Sequence, residues 1–408
     1  MREKQKRILL VGDYMDGTGF NRVVNHFKKA VTPHFEVHHV GINYRGESFL
    51  DEDGVMIYPQ MTKNGGHLGY KNIGRLIEKI EPDIFFVIFD LIFIRFILEA
   101  LRYRKKPLIV GAYVALDGLI TKHRKMLSPL KALDFCVLYT NFAYNHIQEI
   151  LLKSPSTLRK KVDFRIIPHG VETDIFYPLN SKLNTQKVDV RRKVFPELQD
   201  VENAFIVFNG NRPVPRKRLD ITLKAFALFV KDKPSNVKLY LHNTFLGGLP
   251  ANDIQDLINQ LNIKDRILKG PLKKGQGIVD NETLNLIYNA CDVGMNTCMG
   301  EGWGLVNCEH GATAKPQILP KHTAFPEIWE QAVSWVDYKT TTPVNYSPHH
   351  MYLIDPVEVA SSLERLYKDD KYYAEQSTAA YQQMTNDRFS WKNIEKKWEK
   401  LFLSFYKD

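Results

Sequence analysis

Met299-Gly300-Glu301-Gly302-Trp303-Gly304-Leu305-Val306-Asn307-Cys308-Glu309 sets two glutamates on either side of a glycine-rich turn. Residues 286–293 before it run toward a buried strand, and the residues after it read as the start of a helix. A strand, a tight turn and a helix N-terminus gather backbone N–H groups and the positive end of the helix dipole at one point, which suits an anion. Carboxylates beside that point suit hydroxyls. The combination fits a phosphate joined to a sugar with vicinal hydroxyls.

Outward from this turn the chain alternates strand and helix patterns. Strands are expected at 205–209, 237–242, 267–272, 293–296 and 317–320, with helices at 220–231, 252–261, 281–290 and 356–367. Toward the N-terminus, residues 7–11 form a strand that ends at Gly12, followed by the loop Asp16-Gly17-Thr18-Gly19 and a helix over 21–31. Further strands fall at 35–41, 83–89, 107–113, 135–139 and 165–168, with helices at 65–80, 92–103 and 142–152. The expected class is α/β: two doubly wound Rossmann-like halves of parallel strands buried on both faces, with a ligand cleft between them. The boundaries read as 1–175 and 176–388. Residues 389–408 form a C-terminal helix with Ser390 as its N-cap, and its apolar residues Trp391, Ile394, Trp398, Leu401, Phe402 and Phe405 are expected to cross back onto the first domain.

A chain of 408 residues is long enough for about two domains. Its net charge of +10 is uneven: residues 1–178 carry 26 Lys and Arg against 19 Asp and Glu, and the remainder 30 against 27. Between Arg102 and Lys131 eight basic residues face one acid, Asp117. This 102–131 patch suits peripheral contact with anionic lipid or an acidic acceptor, and equally a solvated loop and helix face. It lacks the interleaved aromatics of a nucleic-acid stacking platform. Cys136, Cys291, Cys298 and Cys308 form no C-x-x-C and read as buried apolar residues, so neither a disulfide framework nor a metal site is expected. Asp51-Glu52-Asp53 is D-x-D in form, but no buried strand precedes it, and a solvated acidic loop is the reading. The dinucleotide fingerprint fails because Arg22 stands at the third glycine position. No signal peptide or membrane span is legible, which points to a cytoplasmic, reducing setting.

Four blocks in order resemble a retaining glycosyltransferase of the GT-B fold, similar to family 4 of the glycosyltransferase classification. They are Pro168-His169-Gly170-Val171-Glu172-Thr173-Asp174 with Phe176 and Pro178; Gly210-Asn211-Arg212 followed by Arg216-Lys217-Arg218; Tyr288-Asn289-Ala290-Cys291-Asp292-Val293; and Glu301-Gly302-Trp303-Gly304-Leu305 with Glu309. The resemblance implies hexose transfer from a nucleoside-diphosphate sugar (GDP-mannose, slightly favoured, or a UDP-hexose) to a glycan, lipid or other hydroxyl acceptor. It implies retention at the anomeric carbon, no cofactor and no obligatory metal. Glu309 would then hold the ribose and Glu301 the donor sugar. Arg212 and Lys217 would neutralise the diphosphate, and the backbone around Gly302, Gly304 and Leu305 would cap it. An epimerase or phosphorylase on the same fold, or a non-catalytic sugar-nucleotide-binding protein, remains as the alternative.

The residue chemistry agrees independently. A diphosphate leaving group gathers negative charge, so fixed cations aimed at it are a large catalytic contribution. Arg212 and Lys217 sit in a proline-broken loop after a strand; Arg216 and Arg218 are weaker candidates, because one loop cannot aim every charge inward. Asp117 ends a strand, where it either meets the transferred sugar or acceptor or forms an Asp-Gly turn. His169 is either a direct contact or a hinge residue. Gly17 and Gly19 permit close backbone approach to a ligand. The second half is expected to bind the nucleotide and the first most of the acceptor, with closure excluding water.

Overall fold

Ile84–Ile88 is an unbroken apolar run whose side chains are all fully buried. A strand without polar alternation needs cover on both faces, which a parallel sheet with crossover helices supplies. The computed structural model has this arrangement and describes residues 5–60, 67–121, 126–154, 161–179, 186–242, 251–271, 278–344 and 349–406. By internal contacts the chain divides into two compact units, Met1–Gly170 with Trp391–Asp408, and Val171–Ser390. The sequence-based breaks lie a few residues away, at 175/176 and 388/389.

The first unit contains β1 (Arg7–Asp13), α1 (Gly19–Val31), β2 (Glu36–Ile42), β3 (Phe49–Leu50), β4 (Met56–Pro59), α2 (Tyr70–Ile80), β5 (Ile84–Ile88), α3 (Leu91–Leu98), β6 (Ile109–Val114), β7 (Leu119–Ile120), β8 (Phe135–Leu138), α4 (Asn141–Lys153) and β9 (Asp163–Ile166). Its sheet runs β3-β4-β2-β1-β5-β6-β8-β9, parallel apart from β3, which is antiparallel to β4. The strand order reverses at β1, whose neighbours are β2 and β5. Thr18 caps α1, accepting from the Asn21 N–H at 3.1 Å.

The second unit contains α5 (Lys187–Val194), β10 (Phe205–Asn209), α6 (Leu219–Val230), β11 (Val237–Leu241), α7 (Ala251–Gln260), β12 (Ile267–Leu268), α8 (Asn281–Ala290), β13 (Val293–Met295), α9 (Leu305–Ala312), β14 (Gln317–Pro320), α10 (Phe325–Trp329), β15 (Ser334–Val336), β16 (Tyr338–Pro343), β17 (His349–Ile354), α11 (Pro356–Lys368) and α12 (Asp370–Met384). Its parallel sheet runs β12-β11-β10-β13-β14-β15 and reverses at β10. In sheets of this kind ligands bind beyond the carboxyl ends of the strands at the reversal point. In the second unit that point is where the loops after β10 and β13 emerge.

The last helix, α13 (Trp391–Leu403), belongs to the first unit. Trp391 stacks on His26 at 3.9 Å and 4°, and Trp398, fully buried, meets Phe27 edge-on at 5.4 Å and Tyr113 at 4.8 Å. Ser390, extended at φ −68° and ψ 123°, immediately precedes it.

Several elements differ from the sequence reading. α12 was not expected, because its buried stripe consists only of Ala380 and Met384; Asp369 caps it, accepting from the Tyr372 N–H at 2.9 Å. α5 was not expected either: four of the eight residues of Lys-Val-Asp-Val-Arg-Arg-Lys-Val are basic. Its Arg191 is in fact buried and donates to Asp292 at 2.5 Å, and Asp292 also accepts from the Ile206 N–H at 2.7 Å. Burial alone would raise the Asp292 pKa, but Lys187 and Arg191 together hold it below its ordinary value. The antiparallel hairpin β16–β17 has no counterpart in the expected pattern. The strand expected over 267–272 spans only Ile267–Leu268, and residues 272–277 lie outside the described residues.

Candidate functional site

The loop after β10 and the turn after β13 meet at the reversal point of the second sheet. Lys217 Nζ pairs with Glu301 Oε2, although the two are 84 residues apart. Arg216 donates to the Gly300 carbonyl and holds a guanidinium nitrogen 3.6 Å from Glu301 Oε1. The backbones are joined as well, because the Met299 N–H donates to the Arg216 carbonyl at 2.8 Å. Below them Thr297 Oγ1 donates to the Arg218 carbonyl at 3.0 Å and meets Thr222 Oγ1 at 2.6 Å. Glu301 is 8% exposed. Burial alone would raise its pKa; Lys217, then Arg216, reverse this and hold the carboxyl down at about 2. Glu301 is thus an anion with two cations fixed beside it.

The other cations of the loop point differently. Arg218 takes a left-handed conformation (φ +48°) and grips Asp220 with both ends of its guanidinium at 2.8 Å, closing the start of α6. Arg212 is exposed and pairs with no carboxylate among the described residues. Arg216, ranked below Arg212 on sequence, is therefore the residue that joins Lys217 at Glu301.

Gly304 ends the turn at φ +93° and precedes the first residue of α9. A side chain there would be strained, and its Cβ would lie 2.5 Å from the Phe325 ring. Gly302 is buried, whereas Gly304 and Leu305 are half-buried at the helix start. The first turn of α9 carries no acid to occupy its positive end. One turn further on, buried Glu309 accepts from the Tyr288 hydroxyl at 2.7 Å. On sequence Tyr288 is only part of a lead-in block, because nothing in its spacing from Glu309 announces a contact between two helices.

A buried polar chain anchors this framework from β13 to β14. Asn296 donates to Asn307 at 2.8 Å, Asn307 donates to Gln317 at 3.0 Å, and Gln317 donates to His310 Nδ1 at 3.2 Å. Burial lowers the His310 pKa to about 3, so the ring accepts as a neutral imidazole. A second support comes from the hairpin: the Tyr352 N–H donates to the Met299 carbonyl at 2.8 Å, and the Tyr352 ring stacks on His322 at 4.8 Å. His322 Nε2 bonds to the Cys298 carbonyl at 3.0 Å, and neighbouring Thr323 Oγ1 accepts from the Glu301 N–H at 3.2 Å. These supports were not singled out on sequence; they depend on pairings between elements far apart in the chain.

In the first unit, Asp13 at the end of β1 organises the glycine loop. It accepts from the Thr18 hydroxyl, from the Met15 N–H at 3.2 Å and from Asn43 at 3.0 Å. Gly17 has φ +76°, a conformation glycine favours, and Gly19 opens α1. Asp117 is half-buried in the segment between β6 and β7. His169 is buried, with Nδ1 2.9 Å from the Tyr113 hydroxyl, and burial lowers its pKa to about 3. Since Tyr113 donates to the Ile167 carbonyl at 2.7 Å, its oxygen accepts from His169 Nδ1–H.

Among the described members of the basic patch, Arg102, Lys105 and Lys106 pair with Glu99, Glu78 and Asp83 at 2.8–3.1 Å. Residues 122–125 of the patch lie outside the described residues. No described helix is long and apolar enough to cross a membrane. Asp51 of the acidic triplet pairs with Lys28 at 3.0 Å and accepts from the N–H groups of Asp53 and Val55 at 3.1 and 2.8 Å, as a loop-forming aspartate does. Among the described residues no group of three or more His, Cys, Asp and Glu is placed to hold a metal.

Two doubly wound units in one chain, each with its glycine loop at the sheet reversal, define the GT-B class of fold. Solved structures share it over their whole length. Sucrose-phosphate synthase from Thermosynechococcus elongatus aligns at 16% identity and a TM-score of 0.70, covering 98% of this chain and 99% of that one. A glycosyltransferase from Rickettsia africae aligns at 15% identity and 0.69, covering 99% of each chain. HepE from Anabaena, solved with UDP and glucose, aligns at 15% identity and 0.67, covering 98% and 100%. No protein-family model and no curated protein sequence matches the chain.

Proposed function

We propose that the chain is a retaining hexosyltransferase that uses a nucleoside-diphosphate sugar and needs neither a metal nor another cofactor. The observation that carries this reading is the Lys217–Glu301–Arg216 cluster beside the acid-free first turn of α9, at the reversal point of the second sheet. Lys217 and Arg212, with Arg216, neutralise the diphosphate, and the backbone at Gly302, Gly304 and Leu305 caps it. Glu309, oriented by Tyr288, receives the ribose hydroxyls. Glu301 contacts the donor sugar, and because it also binds Lys217 it keeps that cation in place until the phosphate arrives. In the first unit Gly17, Gly19 and His169 are assigned to the donor, and Asp117 to the transferred sugar or the acceptor.

In the reaction the acceptor oxygen bonds to the anomeric carbon on the face the nucleotide leaves. The bond from that carbon to the diphosphate oxygen breaks, and the acceptor proton passes to the departing phosphate. The fixed cations stabilise the charge that collects on that phosphate. The acceptor is a hydroxyl on a glycan, lipid or sugar. A UDP-hexose is the first donor to test, supported by the UDP and glucose in the Anabaena structure; GDP-mannose is the second.

Thermal-shift screening of sugar nucleotides, followed by product analysis with an acceptor panel, tests the proposal. The expected result is one stabilising donor, release of its nucleotide only with acceptor present, and a product of retained configuration. Glu309→Ala should weaken that donor, and Lys217→Ala should lower turnover on the order of 10²–10³-fold, the scale of losing one stabilising group for developing charge. Near-normal activity in both variants removes the site assignment. A covalent glycosyl-enzyme or an inverted product removes the mechanism. Isomerisation of the donor's sugar in the absence of acceptor makes the protein an epimerase.

A further inference from the structure

The short loop between β14 and α10 carries His322 and Thr323, both buried, and these two side chains hold both ends of the turn 298–301. His322 Nε2 lies 3.0 Å from the Cys298 carbonyl oxygen. A carbonyl can only accept, so Nε2 carries the proton. Burial lowers the His322 pKa to about 4, so the ring is neutral and Nδ1 keeps its lone pair. Thr323 Oγ1, 3.2 Å away, therefore donates to Nδ1, and it accepts from the Glu301 N–H at 3.2 Å. The bonds run in one direction, from the Glu301 amide through the Thr323 hydroxyl and the imidazole to the Cys298 carbonyl. Only the Nε2–H tautomer completes them.

Thr323 holds this place against its backbone preference. Its φ is +49°, and among the described residues it is the only β-branched one with a positive φ. A β-branched side chain is strained there, whereas glycine is not. Such strain persists where the surroundings over-determine it, and it clusters at functional sites. What threonine supplies that glycine lacks is the hydroxyl between Glu301 and His322. The imidazole is fixed as well. The Tyr352 ring stacks on it at 4.8 Å and 15°, and Tyr338 meets Tyr352 edge-on at 4.8 Å. Both tyrosines belong to the hairpin β16–β17, so hairpin, loop and turn form one support beneath Glu301.

We propose that His322, in its Nε2–H tautomer, and Thr323 are positioning residues that fix the turn so that the Glu301 carboxylate meets the donor sugar. The inference rests on the transferase reading, in which Glu301 contacts the sugar and Glu309 the ribose. The pair therefore governs the sugar half of the donor and leaves the nucleotide half alone.

Kinetics of the full chain with UDP-glucose, UDP-galactose, UDP-N-acetylglucosamine and GDP-mannose test it, beside titration with free UDP and GDP. Thr323→Gly removes the hydroxyl and relieves the backbone. His322→Phe keeps a ring against Tyr352 and removes both nitrogens. Each should lower kcat about 10–100-fold, the scale of a group misplaced by about 1 Å, while the Kd of the free nucleoside diphosphate stays that of the parent. Thr323→Ser restores the hydroxyl and His322→Gln an acceptor and a donor, so both should recover most of the loss. A merely structural role would leave Thr323→Gly, freed of its strain, as active as the parent. Nitrogen-15 NMR of the histidine-labelled parent should show His322 protonated at Nε2 alone. Parental kcat in Thr323→Gly or in a folded His322→Phe overturns the proposal. So does an equal loss of nucleoside-diphosphate binding, or a proton on Nδ1. If His322→Phe misfolds, Thr323→Gly alone decides. A parent that transfers sugar from none of the donors removes the transferase reading and this inference with it, a result distinct from an active parent with unaffected variants.

Discussion

Lys217 and Glu301 are the residues on which the candidate site turns. Their side chains are each 11% exposed, so neither charge is well hydrated when the other is removed. Taking one partner from a buried ion pair leaves an uncompensated charge. Glu301→Gln should therefore destabilise the second unit by roughly 3–5 kcal/mol, as measured by urea denaturation; an unchanged midpoint would mean that the pair contributes little to stability. The choice among the loop's four basic residues was not legible in the sequence. Arg212, Arg216, Lys217 and Arg218 are alike as formal charges. The left-handed backbone at Arg218, with its grip on Asp220, turns that cation away from Glu301.

At the scale of elements, the turn between β13 and α9 depends on one backbone conformation. Gly304→Ala combines a left-handed strain of about 1–2 kcal/mol with overlap against Phe325, so the Gly302–Leu305 backbone must shift. The expected outcome is a lower melting temperature together with loss of nucleotide-sugar binding. Retention of full donor affinity would show that this backbone does not cap the ligand. Elements whose apolar residues follow a regular period were readable: α8 has the bounds expected for it, and α11 extends one residue past them. α5 and α12 were not readable, because α5 buries an arginine through an ion pair and α12 has only a thin apolar stripe. The C-terminal helix was readable from its aromatic spacing. The edge-on contacts of Trp398 with Phe27 and Tyr113 arise only once the three rings are brought together.

For the whole molecule, buried histidines set the response to acid. His39 and His169 in the first unit, and His310 in the second, are lowered by burial to about 3; His242 and His322, in the second, to about 4. Folded, they remain neutral below the ordinary value of 6.5; unfolded, they take up protons, so stability falls as pH falls from 6.5 toward 4. Each contributes about 1.4 kcal/mol per pH unit across its window. Glu301 adds a separate loss further down, between its ordinary 4.5 and about 2, where its carboxylate becomes protonated. Melting temperatures measured from pH 7 to pH 4 should decline in both units, and a flat profile would show that these imidazoles take up protons as readily in the folded protein as in the unfolded chain.

The alternation of apolar strands with amphipathic helices, and the Gly-rich turn between two glutamates, determined the α/β class, the doubly wound pattern and the region of the candidate site. These are local properties: a strand buried on both faces must be apolar throughout, and a turn needing φ > 0 selects glycine. The tertiary structure alone decided that Lys217 and Arg216 reach Glu301 and that Tyr288 holds Glu309. Each of these contacts joins residues that the chain separates by 21 or more positions, and such distances are closed by packing and pairing rather than by sequence spacing.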